Sequence, residues 1–363
     1  MGTRVYLNAF VLALLLIVLA GPVCMQAAAG GAGESRQGAG QIKAFMYHHF
    51  GMQDTYPSTS VSVEQFQGHL EYLKTHDYTV LTLKEALELL YSEEELPEKT
   101  AVITIDDGYS SIWDKALPLL EKYGYQASIF VATSHVGGNN YLSWEQLKEL
   151  QQKGFEIGNH SHAHAHFLNE QPGEIKEAFE EDLEKSHAEF RRHLGGVPKL
   201  YAYPFGEYHP ELMSVLEDHD YMAAAAQHSG VISAGSRRFA LPRFPMNLNY
   251  ADMEGFKEKI RMNALQVTEA VPEDPLVSGQ NPPRLKLRIE NKALNPDGLQ
   301  CFVSGQRECS LDKISTEDAL EVEVQAASEL SARRTLYTIT GPSKDGSKWF
   351  WYSYQWVVPE VQE

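Results

Sequence analysis

The stretch AVITIDDGYSS (residues 101–111) runs apolar as far as Ile105 and then meets two adjacent acids, Asp106 and Asp107, followed by Gly108. Two carboxylates side by side repel, and burying them costs several kcal/mol unless a cation or hydrogen-bond donors compensate. Asp and Gly also suit an ordinary turn, so the stretch alone reads equally as a strand end with a simple reversal. The rest of the chain decides between the two.

Around this stretch, short apolar runs alternate with helical segments from residue 42 to about 260. The predicted strands are 42–48, 78–83, 101–106, 127–133, 155–160, 200–206, 221–226 and 239–244. Between them, residues 62–76 carry Phe66, Leu70 and Leu73 at helical spacing. Residues 142–154 begin with Ser143 and Gln146 at capping-box spacing and end on Gly154, and residues 172–194 form a long amphipathic helix. Strand and helix in repeated alternation predict an α/β fold with a mostly parallel sheet, and seven or eight such units suggest a barrel. Functional residues of barrels collect at the C-terminal ends of the strands, where Asp106 and Asp107 fall.

After about residue 270 the pattern changes. A Pro-rich stretch, VPEDPLVSGQNPP (271–283), precedes segments of period-2 alternation at 284–291, 319–325, 335–340 and 348–358. These predict a small antiparallel β-sandwich. Phe350, Tyr352, Tyr354 and Trp356 share one face of its last strand, as a strand core or as a sugar-stacking platform. The expected partition is a signal peptide (1–29), a flexible linker (30–41), an α/β domain (42–265), a Pro-rich linker (266–283) and a C-terminal β domain (284–363).

The net charge of −18 argues against nucleic acid as a partner, since phosphate contacts want Lys and Arg. At the start, Arg4, the apolar run FVLALLLIVLAG (10–21) and the small residues of MQAAAG (25–30) read as an export signal, with a retained anchor as the alternative. Val23 is too bulky for a lipidation motif at Cys24. After cleavage no stable membrane span remains, so the protein is expected in the periplasm or outside the cell. In an oxidising compartment the remaining Cys301 and Cys309 suit a disulfide, with two free buried thiols as the alternative.

A second signal is EIGNHSHAHAHF (156–167), which follows another predicted strand and sets His160, His162, His164 and His166 at every second position. Such a run is either a loose metal-sequestering tract or part of a defined site. Two imidazoles plus one carboxylate make the three-ligand set of a catalytic zinc, with cobalt or nickel as alternatives. His160 and His164 are four apart, and so are His162 and His166, which leaves two registers open; Ser161 favours the first. One divalent ion would neutralise Asp107, leaving Asp106 as a general base for a bound water.

Two further strand ends add YAYPFGEYHP (201–210) and FALPRFPMN (239–247). In this order the motifs resemble the polysaccharide deacetylase family, the NodB-homology fold or carbohydrate esterase family 4. Its T-F-D-D-G motif appears as Thr104-Ile105-Asp106-Asp107-Gly108, its H-S/T-x-x-H motif as His160-Ser161-His162-Ala163-His164, and R-x-P-Y in degenerate form as Ala202-Tyr203-Pro204-Phe205. FMYHHF (45–50) and YPFGEY (203–208) look most like the branch that deacetylates poly-β-1,6-N-acetylglucosamine. The resemblance covers about residues 42–260. It implies a distorted (β/α) barrel of about seven strands, followed here by the small all-β sandwich-like domain. It also implies a metal-dependent N-deacetylase that takes polymers containing N-acetylglucosamine and releases acetate. Asp107, His160 and His164 then bind the metal, Asp106 is the base, and Tyr203 and Phe205 serve the oxyanion and substrate through a backbone N–H near Phe205.

Two departures qualify the resemblance. The Arg of the third motif is Ala202 here, and Arg243 is the candidate to supply its charge beside Asp106. The general acid, a His after the last strand, is missing from ALPRFPMN (240–247); His228, His48 and His49 are candidates for that role or for lining the cleft. Alternatives are the same chemistry on peptidoglycan or chitin-type sugars, a carbohydrate-binding protein with a degenerate site, and a metal-sequestering protein. The C-terminal domain is expected to bind polymer, dock a partner protein or cover an edge.

Overall fold

A computed structural model of the chain describes residues 1–2, 40–171, 173–316 and 319–362. Residues 3–29 of the expected signal peptide and 30–39 of the linker lie outside the described residues. Among the described residues no helix is long and apolar enough to cross a membrane.

The barrel region begins with β1 (Ile42–Tyr47), a two-strand parallel ladder of β2 (His49–Phe50) and β3 (Ser60–Val61), and helix α1 (Val63–Thr75). Then follow β4 (Thr79–Leu81), α2 (Leu83–Leu90), β5 (Thr100–Ile105), α3 (Leu117–Tyr123), β6 (Ser128–Val131), α4 (Trp144–Gln152) and β7 (Glu156–Asn159). The region closes with α5 (Ile175–Leu194), β8 (Leu200–Ala202), α6 (Pro210–Asp218), β9 (Ala223–Ala225), β10 (Phe244–Pro245) and α7 (Met253–Arg261). The sheet order is β10-β1-β5-β6-β7-β8-β9, all parallel, with β4 paired to β5. One bridge, Ala225 to Leu241, carries β9 to the run that leads into β10, which makes the ring a distorted barrel. The strand expected over 239–244 shrinks to Phe244–Pro245, because Pro242 and Pro245 cannot donate to a ladder. The helices start as their capping residues require: Ser62 with Gln65, Thr82 with Glu85 and Ser143 with Gln146 all form reciprocal capping boxes.

Strand parity sorts the barrel side chains into two sets, because successive residues point to opposite faces. Ile42, Ala44, Val102, Phe130, Leu200, Ala202, Ala223, Ala225 and Leu241 pack together toward the interior. Phe45, Tyr47, Ile103, Ile105 and Ile129 pack outward under the helices, as do Tyr201, Tyr203 and Ala224 farther round the ring.

Beyond the barrel come β11 (Asn263–Ala264), β12 (Val267–Val271), β13 (Arg284–Ile289), β14 (Gln300–Val303), β15 (Cys309–Ser315), β16 (Leu320–Ala326), β17 (Arg334–Pro342) and β18 (Trp349–Val357). They form two four-stranded sheets, β11-β18-β17-β14 and β12-β13-β16-β15. Leu285, Leu287, Val322 and Val324 of one sheet meet Tyr337, Ile339, Tyr354 and Trp356 of the other in a shared core. The aromatic face of the last strand is therefore core and no sugar platform: Tyr354 and Trp356 are each 1% exposed. The stretch 266–283, expected as linker, contains β12, which pairs antiparallel with β13. Cys301 and Cys309 form a disulfide that joins β14 of one sheet to β15 of the other.

From Ser353 to Val357 the strand β18 is buried on both faces. Its alternate residues turn toward the barrel: Trp351 packs edge-on against Phe244, Ser353 Oγ lies 2.8 Å from Ser229 Oγ, and Val357 joins the apolar cluster beneath α5 and α6.

Candidate active site

The strand β5 is buried along its whole length, and parity sends Thr104 and then Asp106 toward the interior. There Arg243, at the inner parity of the run after Leu241, meets Asp106 as a fork: Nη1 donates to Oδ1 at 2.7 Å and Nη2 to Oδ2 at 2.8 Å. Arg243 also donates from Nε to the Ala226 carbonyl and from Nη1 to Thr104 Oγ1, each at 3.0 Å. Both side chains are fully buried. Burial works against the charge on Asp106, but Arg243, joined by His160 and His48, outweighs it and holds the carboxyl below its ordinary range.

By parity alone Asp107 would turn outward to the helices. Its backbone instead adopts a left-handed conformation, φ 71°, followed by Gly108 at φ 76°. Asp tolerates that region and Gly suits it; a Cβ on Gly108 would also lie 2.8 Å from Val131 Cγ1. The turn thus splits the two acids and brings Asp107 over the end of the barrel. Its Oδ1 lies 3.2 Å from His160 Nε2 and 3.2 Å from His164 Nε2.

His160 follows β7 at inner parity. Its Nδ1 donates to the Ala202 carbonyl at 2.7 Å, since a carbonyl can only accept. When the ring is neutral its Nε2 lone pair faces Asp107, the arrangement of a metal-binding histidine; burial opposes a charge on the ring, but Asp107 and Asp106 raise its pKa. The following loop contains two left-handed residues, Ser161 (φ 72°) and His164 (φ 53°). Asp182 of α5 braces it by accepting from the N–H groups of His162 and Ala163, and Ser161 Oγ accepts from His164 N–H. His162 is drawn away to Thr133 Oγ1 and His166 to Glu207, so only the His160/His164 register reaches Asp107.

Asp107 Oδ1 and His160 Nε2 are buried and have no hydrogen-bond partner, despite their 3.2 Å approach. The three ligand atoms lie within 4.8 Å of one another, and this is the one such His, Cys, Asp or Glu cluster among the described residues. Orphaned donors converging on one point fit a cation better than they fit one another. Burial opposes the charge on Asp107, yet the histidines around it hold its carboxyl well below the usual range.

The remaining candidates divide. His48 follows β1 at inner parity and feels the charges of Asp107, Asp106, Arg243 and His160, with burial pushing its pKa down. His49 joins the aromatic group instead: its Nδ1 meets Thr59 Oγ1, its ring stacks between Tyr56 and Tyr109, and burial lowers its pKa to about 4. His228 is a misreading as general acid. It lines a crevice of about 220 Å³ against β18, and neither aspartate acts on it. Burial, reinforced by Arg237 and Arg243, pushes its pKa down to about 3. Tyr203 is likewise misread as a substrate residue. It continues the outward parity of Tyr201, is fully buried and donates its hydroxyl to the Phe239 carbonyl. Phe205, two residues on, lies at the site: its ring stacks on His166 at 3.6 Å and meets His164 edge-on at 4.6 Å.

Across the cleft, Tyr109 and Tyr141 stack at 5.0 Å, and Tyr141 and His164 both neighbour His135. Tyr109 belongs to the opening motif and was within reach of sequence reasoning. Tyr56, His135 and Tyr141 come from loops without a spacing signal.

A family model described as polysaccharide deacetylase matches residues 93–224. YxkH of Bacillus subtilis (strain 168), assigned by its name to the polysaccharide deacetylases, is 30% identical over 203 residues, covering 56% of this chain and 70% of that protein. The poly-β-1,6-N-acetyl-D-glucosamine N-deacetylase of Staphylococcus aureus (strain MRSA252) is 29% identical over 195 residues, 51% of this chain and 67% of that protein. Among solved structures, the Streptococcus pyogenes deacetylase PplD in complex with acetate shares the fold with a TM-score of 0.55 at 22% identity, covering 61% of this chain and 98% of that one. The matched stretch runs across the strand ends that carry Asp106, Asp107, His160 and His164, and the chain belongs to the polysaccharide deacetylase family.

Proposed function

We propose that the protein is an exported, metal-dependent polysaccharide N-deacetylase that hydrolyses acetamide groups of poly-β-1,6-N-acetylglucosamine to acetate and free amine. One observation carries the reading. Three convergent ligand atoms, two of them buried and unpartnered, adjoin a carboxylate kept ionised by a buried guanidinium. The similarity to the S. aureus deacetylase favours the β-1,6 linkage. The signal-like residues 10–30 and the Cys301–Cys309 disulfide favour export.

Asp107, His160 and His164 would hold the ion, zinc by the donor set, with cobalt or nickel as alternatives. When bound, that ion would supply a Lewis acid for the amide carbonyl and a water of lowered pKa. Asp106 accepts the proton of the attacking water, and the Arg243 fork keeps it charged and aimed. A backbone N–H at the Phe205 turn donates to the oxygen that gains charge as the carbonyl carbon becomes tetrahedral. Asp106, once it has taken the water's proton, returns it to the departing amine, and His48, the histidine that feels both aspartates, lines the cleft beside it. The ring stack of Tyr109 and Tyr141 offers a face for the sugar.

The test is acetate release by the zinc-loaded protein from β-1,6- and β-1,4-linked N-acetylglucosamine oligomers, side by side, with D106N as control. Release from the β-1,6 series that vanishes in D106N supports the reading. Preference for β-1,4 moves the substrate to peptidoglycan or chitin-type polymers. No release with zinc bound favours a binding protein.

A further inference from the structure

The active-site turn is gripped residue by residue from the C-terminal sheet. Phe205 holds a left-handed backbone, φ 58° and ψ 3°, which a bulky side chain adopts only where its surroundings impose it. Gly206 follows at φ 72° and packs so closely on Gln227 that a Cβ would lie 2.4 Å from that residue's Cβ. Three consecutive groups of the turn then meet three side chains of β17, its leading residue and β18. Arg334 donates from Nη1 to the Phe205 carbonyl, and its guanidinium lies 5.8 Å from the Phe205 ring centroid. Gln355 donates from Nε2 to the Gly206 carbonyl at 3.1 Å. Arg333 forks onto Glu207, Nε to Oε1 at 2.6 Å and Nη2 to Oε2 at 2.9 Å. Glu207 also accepts from His166 Nδ1 at 3.1 Å, and His166 carries the stacked Phe205 ring. Arg333 and Glu207 are each 4% exposed and Gln355 is 2% exposed.

A buried ion pair between two parts of a fold is weak evidence for stability, because desolvating both charges offsets most of their attraction. It does fix geometry, since a guanidinium and a carboxylate fit in one planar arrangement. Here the geometry fixed is that of Phe205, whose ring touches His164 and whose turn carries the proposed oxyanion donor.

The geometry points to Arg333 and Arg334 as positioning residues of the active site: the C-terminal β domain is a structural part of the catalytic cleft, holding the Phe205 turn in its strained conformation. The inference rests on the deacetylase reading for its catalytic half. It also removes the face of β17 and β18 that meets the barrel as a platform for polymer, because that face is occupied by the turn.

The test uses the full-length, zinc-loaded protein with R334A, R334K and the double variant R333M/E207Q, which removes both buried charges together. R284A, an exposed arginine of the same domain, is the control. Three quantities are read: amide hydrogen exchange of residues 203–208, zinc stoichiometry, and kcat and KM for acetate release. Expected for R334A and the double variant are faster exchange confined to the turn, one zinc retained, and kcat down about 10- to 100-fold with KM nearly unchanged, as for a misplaced reacting geometry. R334K should recover part of the loss, and R284A should match the native protein. Unchanged exchange, or native kcat with faster exchange, overturns the assignment. Absence of acetate release from the native protein instead overturns the deacetylase reading, and the exchange data tell that failure from failure of the clamp.

Discussion

Two buried carboxylates near the active site are each held by a forked arginine, and they differ in what the fork spans. Asp106 and Arg243 both belong to the barrel and both point into its interior. Glu207 and Arg333 join a barrel loop to the start of β17 in another sheet. The first pair adjoins the Asp107–His160–His164 cluster and sets the charge state of the proposed general base. The second touches no reacting atom and reaches the cleft only through His166, Phe205 and the turn. A third carboxylate shows what happens without an arginine. Glu156, at the opposite end of β7 from His160, is largely buried with Ser128 Oγ and the Lys84 N–H as donors, and burial lifts its pKa to about 7. Similar chemistry thus serves charge in one place and shape in another, and the cation decides whether a buried acid stays ionised.

The largest effects separate Asp107 from Asp106. D107A is expected to lose both zinc and activity, whereas D106N should keep one zinc and lose about 10²- to 10⁴-fold in kcat, the share of a general base. Metal content by mass spectrometry beside acetate release checks both. Next, R243M leaves Asp106 buried without its cation. It should cost about 3–5 kcal/mol of folding stability. It should also move the acid limb of kcat/KM to higher pH, because the pKa that Arg243 holds down is released upward. In R333M/E207Q the acid limb should stay where it is while kcat falls. A limb that moves equally in both variants would break the distinction between charge and shape. The smallest effect concerns Glu156. Its folded pKa lies above the ordinary carboxylate value of 4.5. The folded state therefore binds the extra proton between about pH 4.5 and 7, and stability falls as pH rises through that window, by at most about 3 kcal/mol. E156Q should flatten that decline in thermal unfolding scans at pH 5 and pH 8, and an unchanged slope would show that the carboxyl ionises freely.

Much of the site was legible because strand parity extends one residue past a strand end. Asp106, His160 and His48 each follow a strand at inner parity, Arg243 keeps the inner parity of Leu241 just before β10, and all converge. The same rule, applied to Tyr203, predicts the core position it occupies beside Tyr201, and the pull of the YPFG turn obscured that. His228 was read from a gap in a motif, which says nothing of direction, and its loop carries it toward β18. The histidine register was ambiguous in spacing alone. It is decided by left-handed backbone at Ser161 and His164 and by Asp182, partners that no local pattern announces. β12 was missed because VTEAV lacks a strong apolar alternation and gains its strand from pairing with β13. Arg333 was beyond reach for a different reason: it lies in no motif, and nothing local ties it to Glu207.

The two-sided burial of β18 bears on how the chain withstands cutting. One face of this strand sits in the sandwich core and the other lies against the barrel, while its edge pairs with Asn263–Ala264 just after the last barrel helix. A protease that nicks the Pro-rich segment 271–283 would therefore sever the covalent connection without parting the halves. The two fragments should co-purify as a noncovalent complex, and the same halves produced as separate chains should reassemble into it.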